Sequence, residues 1–201
     1  AKLELIFVGG LIRWKACDLA LQGAAPLLRE QLARFTVVGD GPERSRLEEM
    51  ARCLGIKEGV TFLGWLSHSE VMKRLESADV LVFPSVHDFG GGVVFEALSL
   101  GVVPVVADFG GPGDIVHSGV GCKVQLTTEA NVVLQIERIL RRFVGDRHHL
   151  EGLRQQAVSY AREYLSWEAK AEALTAIMRW VLRQGPKPHL PAPKMLRVEA
   201  R

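Results

Sequence analysis

Two carboxylates, a lysine and a run of glycines are the residues here whose types and spacing could do chemistry. Residues 83–98 read Phe-Pro-Ser-Val-His-Asp-Phe-Gly-Gly-Gly-Val-Val-Phe-Glu-Ala-Leu. Asp88 precedes Gly90, Gly91 and Gly92, and Glu96 follows eight residues after Asp88. An apolar run from Val80 to Phe83 leads into Pro84, and an apolar helix is expected to begin near Val93. Strand, glycine turn and helix start together favour an anion, usually a phosphate. The glycines let backbone approach the ligand, and the helix start offers free N–H groups and the positive end of its dipole. Carboxylates beside a phosphate repel it. They make sense as acceptors for hydroxyl groups on either side, since a carboxylate can take two hydrogen bonds from a vicinal diol. That combination points to a sugar nucleotide.

The plain alternatives are a turn aspartate and a solvated helix glutamate. Glu96 fits the second poorly, because Val93, Val94, Phe95, Ala97 and Leu98 make its helix apolar almost all round. A charge buried on several faces needs partners. Lys15 is expected to open a helix after the turn Gly9-Gly10. A cation opposes the dipole there, unless a diphosphate reverses the sign; an exposed lysine is the alternative. Arg13, in the same loop, is a second candidate. His87, between Ser85 and Asp88, raises a hydrolytic triad, but no G-x-S-x-G elbow is present and nucleophilic hydrolysis is rejected. His87 reads as a loop residue. Trp14, Trp65 and Trp167 read as packing residues, with Trp65 also placed to approach a base.

The elements that must position these residues alternate regularly. Leu3–Val8, Phe35–Val38, Val60–Leu63, Val80–Phe83, Val102–Ala107 and Cys122–Val124 are apolar runs of strand length, and nearly all end at glycine. Helical spacing lies between them. Pro42 suits the first position of the second helix, Gly55 its C-cap, and Ser67 to Glu70 a capping box. Phe109 to Asp114 reads as a second glycine turn. From residue 128 on the pattern is helical, over about 128–143, 147–164 and 167–183. The expected fold is α/β: a doubly wound, Rossmann-like parallel sheet of about six strands with C-terminal helices. The glycine turns, Gly64 included, then converge on the carboxyl edge of the sheet, where such folds bind ligands. The dinucleotide fingerprint itself fails, because Gly39-Asp40-Gly41 continues as Pro42-Glu43-Arg44, and no P-loop motif occurs.

Composition excludes several classes. The 201 residues are 48% hydrophobic and 24% charged, which suits an ordinary globular domain with a real core. A formal net charge of +2 without a basic tract gives no reason to expect nucleic acid. Three separated cysteines, Cys17, Cys53 and Cys122, lack metal-ligand spacing and read as reduced core residues in a reducing compartment. Residues 1–184 are expected to form the domain and 185–201 a proline-rich extended tail. The abrupt start on a strand suggests an excised domain.

These residues resemble retaining family four of the glycosyltransferases (group 1), enzymes with the two-Rossmann-domain GT-B architecture. Five segments carry the resemblance: Phe7-Val8-Gly9 with Lys15, Val38 to Pro42, Val60 to Gly64, Pro84-Ser85 through Glu96-Ala97 as the paired-acid motif, and Gly110-Gly111-Pro112 with Asp114. It implies one half of a GT-B fold, a donor-binding domain without its N-terminal acceptor domain. By resemblance, Glu96 binds donor ribose hydroxyls and Asp88 contacts the transferred sugar. Backbone around Gly9, Gly10, Gly90, Gly91, Gly92 and Val93 lies at sugar and phosphates. Lys15, with Arg13 as its helper, neutralises the diphosphate, and Leu63-Gly64 meets the base. No metal or other cofactor is expected. The implied partner is a nucleoside-diphosphate sugar, the product of transfer a hexoside, and the setting cytoplasmic, with peripheral association at the inner membrane face. The chain departs from the pattern at Gly10 (usually Arg), Ala16 (usually Gly), Asp88 (usually Glu) and Asp114 (usually Glu). A non-catalytic nucleotide-sugar-binding module of a split or degenerate transferase is the alternative that Gly10 favours. The paired-acid spacing argues against an epimerase of the same architecture.

Overall fold

The computed structural model describes residues 2–188. Most of the expected tail, residues 189–201, lies outside the described residues. The strands are β1 (Leu3–Val8), β2 (Ala33–Val38), β3 (Val60–Gly64), β4 (Val80–Phe83), β5 (Val103–Ala107) and β6 (Cys122–Val124). Between them run α1 (Cys17–Arg29), α2 (Arg44–Cys53), α3 (His68–Glu76), α4 (Gly92–Ser99) and α5 (Gly110–Ile115). After β6 come α6 (Glu129–Gly145), α7 (Arg147–Tyr160), a π-helical turn (Ala161–Leu165) and α8 (Trp167–Val181).

All pairings in the sheet are parallel and the strand order is β3-β2-β1-β4-β5-β6. The chain winds one way from β1 to β3 and the other way from β4 to β6. The loops after β1 and β4 therefore diverge and leave a crevice between them. Every residue of β4 and β5 is buried, because helices cover both faces of a parallel sheet. Their unbroken apolar runs are the sequence form of that burial. Phe7 and Phe83 fill the core beneath the crevice with ring centroids 5.8 Å apart. Gly23 lets α1 lie against α6, since a Cβ there would come 2.6 Å from Ile136.

Asp79 fastens the other edge of the sheet. Its carboxylate accepts from the Glu4 backbone N–H at 2.9 Å and from Arg154 of α7 at 2.6 Å. One acid thus joins β1, β4 and α7. The capping box at α3 forms as expected, with Ser67 and Glu70 each accepting from the other's backbone. Gly55 follows α2 in the left-handed region at φ +69°.

Local expectations need correction at several points. Pro42 lies in a turn ahead of α2, not in its first position, because α2 begins at Arg44. Lys15 ends a 3-10 turn, Arg13–Lys15, and α1 starts only after Ala16. Phe109 to Asp114 is mostly helix α5 rather than an open turn. Cys53 is exposed and Cys122 half-buried, so only Cys17 is a core residue. Trp65 and Trp167 are exposed and Trp14 half-exposed, so none packs as expected. No described helix is long and apolar enough to cross a membrane.

Two glycines give opposite tests of the fold. Gly39 has φ +129°, and an added Cβ would lie 2.0 Å from the Gly9 carbonyl oxygen. Gly39→Ala is therefore expected to destabilise the domain by about 2–4 kcal/mol, read by urea denaturation. Gly152 sits inside α7 and an added Cβ meets nothing within 4 Å. Gly152→Ala is expected to stabilise by about 0.5–1 kcal/mol, which thermal denaturation reads as a rise of roughly 2–3 °C. A loss of stability on that change would show that the helix interior is not as open as described.

Candidate functional site

The loops after β1 and β4 meet through backbone. The Trp14 carbonyl accepts from the Val86 N–H at 2.9 Å and from the Ser85 hydroxyl at 3.2 Å. Ser85 is almost wholly buried, and its hydroxyl is satisfied by this contact. The clamp holds the turn ending at Lys15 beside Asp88. Ala16, next in the chain, adopts φ +53°, a left-handed conformation that disfavours any residue with a Cβ. That conformation lets α1 turn away while Lys15 faces the crevice.

Lys15 and Asp88 form an ion pair across the crevice, with side chains 21% and 14% exposed. The ammonium also lies 5.2 Å from the centroid of the Phe83 ring. The other Asp88 oxygen accepts from the Gly91 N–H at 3.1 Å. Gly91 is the N-cap of α4, in the left-handed region at φ +57°. Asp88 therefore satisfies both positive features that an anion would seek, a lysine and a free N–H at a helix start. Gly90 and Gly92 are exposed, and nothing stands within 4 Å of where their side chains would be. Val93, next in α4, is half-buried.

Short α5 supports this loop from behind. Gly111 donates to the Asp88 carbonyl at 3.3 Å, and a Cβ on it would strike the Phe89 carbonyl at 2.3 Å. Phe89 itself is fully exposed. His87 is exposed as well, in keeping with a loop residue.

Glu96 lies one turn into α4, as its spacing predicts, but it is not buried. Its side chain is 30% exposed and its Oε1 lies 3.0 Å from His68 Nε2. The face of α4 that carries Glu96 borders a groove of about 420 Å³, shared with Ser99, Arg162, Leu165 and Trp167. The apolar neighbours that implied burial instead pack inward, with Val94, Ala97 and Leu98 buried. His68 was legible only as part of a capping box; nothing in the sequence links it to a residue 28 positions away.

Leu63 and Gly64 end β3 on the same edge, with Gly64 at φ +72° and Trp65 projecting into solvent. Arg44 approaches Gly64 and is held by Asp40 and Glu48, each at 2.9 Å. Asp40 lies below its usual carboxylate range, through the Gly41 N–H and then Arg44. Lys123 is likewise held by Asp108 at 2.6 Å, which lowers the acid together with Gln125. Arg13 is exposed and lines a separate groove with Trp14, Val86 and Leu126. The structure thus brings Lys15, and not Arg13, to Asp88. Gly10 has open space, its nearest neighbour being Ile12 at 3.9 Å from an added Cβ. Among the described residues, no cluster of His, Cys, Asp and Glu is arranged to hold a metal ion.

The chain is similar to known proteins in sequence and in fold. The chain is 29% identical over 169 residues to an uncharacterised glycosyltransferase of Methanocaldococcus jannaschii, an alignment covering 82% of this chain and 41% of that protein. It spans less than half the length of the curated relatives it matches. The fold superimposes on the pneumococcal O-GlcNAc transferase GtfA, solved with UDP and GlcNAc, at TM-score 0.76 and 17% identity, over 89% of this chain and 36% of that one. It also matches the C-terminal domain of a glycosyl transferase group 1 protein (LpcC) from Francisella tularensis, at TM-score 0.72 and 16% identity, covering 82% of this chain and 87% of that one. The model of the family described as glycosyl transferases group 1 matches residues 1–164. With most of its length inside that match, the chain belongs to the glycosyl transferases group 1 family.

Proposed function

We propose that residues 1–184 are the nucleotide-sugar donor-binding domain of a retaining hexosyltransferase, the second half of a GT-B enzyme. The observation that carries this reading is the crevice between β1 and β4. Lys15, Asp88 and the exposed Gly90 and Gly92 border it, and Glu96 stands a turn further along α4 on a neighbouring groove. A diphosphate entering there competes with Asp88 for Lys15 and for the Gly91 N–H. Once displaced, Asp88 is free to accept hydroxyls of the transferred sugar. Glu96, a turn further on, accepts from the ribose diol. Leu63 and Gly64 meet the base, and Gly9, Gly10 and Val93 contribute backbone at the phosphates. Lys15 then stabilises the charge that develops on the departing diphosphate, an interaction stronger in the transition state than in the ground state.

The relatives' greater length supports a missing acceptor half, packed across the crevice. Helix α8 buries none of its residues and exposes Leu174, Met178 and Val181, a surface suited to such a companion. Without it, the isolated chain binds donor but transfers nothing appreciable. A second reading, a non-catalytic binding or partner module, is favoured by Gly10 standing where the family carries an arginine. Restoration of transfer on mixing this chain with a separate acceptor-half chain would favour the split form of that module.

Isothermal titration with UDP and GDP tests the reading directly, and no heat with either at millimolar concentration would overturn it. Glu96→Ala is expected to weaken the better nucleotide about tenfold or more through lost diol hydrogen bonds. Asp88→Asn should move affinity the other way, about three- to tenfold tighter, because Lys15 is released and a like charge removed. Gly10→Arg, where an added Cβ meets nothing closer than 3.9 Å, is expected to tighten binding by about tenfold through a charge-assisted contact to the diphosphate. If all three leave affinity unchanged, the nucleotide does not occupy the crevice.

A further inference from the structure

A second cavity, of about 430 Å³, opens between the loop entering β6 and the end of α7. In a parallel sheet the loop that enters a strand lies on the edge opposite the glycine turns. Lys15, Asp88 and Glu96 are not among the residues lining this cavity. Its size falls within the roughly 300–1,000 Å³ typical of small-molecule sites.

Aromatic rings form one wall. Tyr160 is nearly buried, and its hydroxyl donates to the Ile115 carbonyl at 3.2 Å, which fixes the ring. His117 meets it edge-on at 5.0 Å, and Tyr164 lies 5.4 Å away on the other side. Gln155, Gln156, Ser159 and Glu163 line the same space, the Ser159 hydroxyl donating to the Gln155 carbonyl at 3.1 Å and the Gln155 amide to Glu151 at 3.2 Å. No lysine or arginine is among the residues that line it. The arginines of this segment are turned elsewhere, Arg154 to Asp79 and Arg162 to the groove beside Glu96.

Two backbone features keep the cavity open. Gly152 lies inside α7, where glycine weakens a helix, yet no neighbour would obstruct a side chain there. Packing does not explain it, but an open floor does. The π-helical turn Ala161–Leu165 is a rare element, found mostly where helices carry function. Here it presents Glu163 and Tyr164 to this cavity, and Ala161, Arg162 and Leu165 to the groove beside Glu96.

From this combination we infer that the cavity between the β6 entry loop and the end of α7 is an accessory binding site for a neutral carbohydrate. A pyranose ring has an apolar C–H face that suits a fixed aromatic ring. Its hydroxyls suit amides, which donate and accept, and serine and carboxylate oxygens, which accept. Nucleotides and other phosphates are disfavoured, since the lining residues include the Glu163 carboxylate and neither lysine nor arginine. The inference stands independently of the donor reading, because it involves a different sheet edge and an uncharged ligand.

Amide chemical shifts of the full chain, followed by NMR during titration with maltose, with N,N′-diacetylchitobiose and separately with UDP, test it. Saturable shifts at Gly152, Ser159 and Tyr164 with at least one saccharide, and not with UDP, are expected. Gly152→Leu fills the floor and raises helix propensity, so it should fold, keep its response to UDP and weaken saccharide binding by about tenfold or more. Tyr164→Ala, which removes one ring without filling the space, is expected to weaken it in the same direction. Absence of shifts with both saccharides overturns the proposal. So do shifts that persist at full affinity in both variants, or a stronger response of these amides to UDP.

Discussion

The ion pair between Lys15 and Asp88 spans the point where the chain reverses its direction of winding across the sheet. Below it, the Asp79 carboxylate accepts from the Glu4 N–H, 75 residues away, and ties together the strands that carry the two loops. Above, the Trp14 carbonyl accepts from Ser85 and Val86, so the loops cannot separate without breaking these two hydrogen bonds. Left-handed Ala16 and Gly91 then direct the flanking helices away from the crevice. A cation and an acid are thereby kept together where water is partly excluded and their attraction is stronger than at the open surface.

This arrangement gives Asp88 two successive roles in the proposed mechanism. Without nucleotide it neutralises Lys15 and caps α4. With nucleotide, a diphosphate of greater charge takes over both contacts. On the proposed reading, the exchange makes a shorter acid in the paired-acid motif compatible with donor binding. It also sets a cost, since the incoming anion must replace an ion pair that is already made. Other cations on this edge offer little relief, because Arg44 and Lys123 are each held by their own carboxylates.

Helix α7 couples the two halves of the molecule. Arg154 reaches Asp79 at the base of the central strands, and the following π-turn divides its side chains between two cavities. The same helix that braces the sheet under the crevice therefore builds the proposed carbohydrate site.

Much of this was legible in the sequence. The strand at Leu3–Val8, the strand at Val80–Phe83 and the capping box at Ser67–Glu70 appear as read, since period, composition and capping chemistry are local properties. Asp88 and Glu96 were legible as a pair because both flank one glycine run. Their environments were not. Glu96 sits on the solvent side of an apolar helix beside His68, and the choice of side depends on which face of α4 meets the sheet. The exposed Trp65 and Trp167 show the same limit, because aromatic composition says nothing about direction. The sequence by itself determined the alternation of strands and helices, the glycine turns at strand ends, and hence the sheet edge on which those turns gather. Only the tertiary structure decided that Lys15 meets Asp88, that Glu96 meets His68, and that Tyr160 and Tyr164 wall a cavity with His117. Those contacts join residues distant in sequence. They follow from strand order and helix rotation, which are set by the packing of the whole core and not by any local pattern.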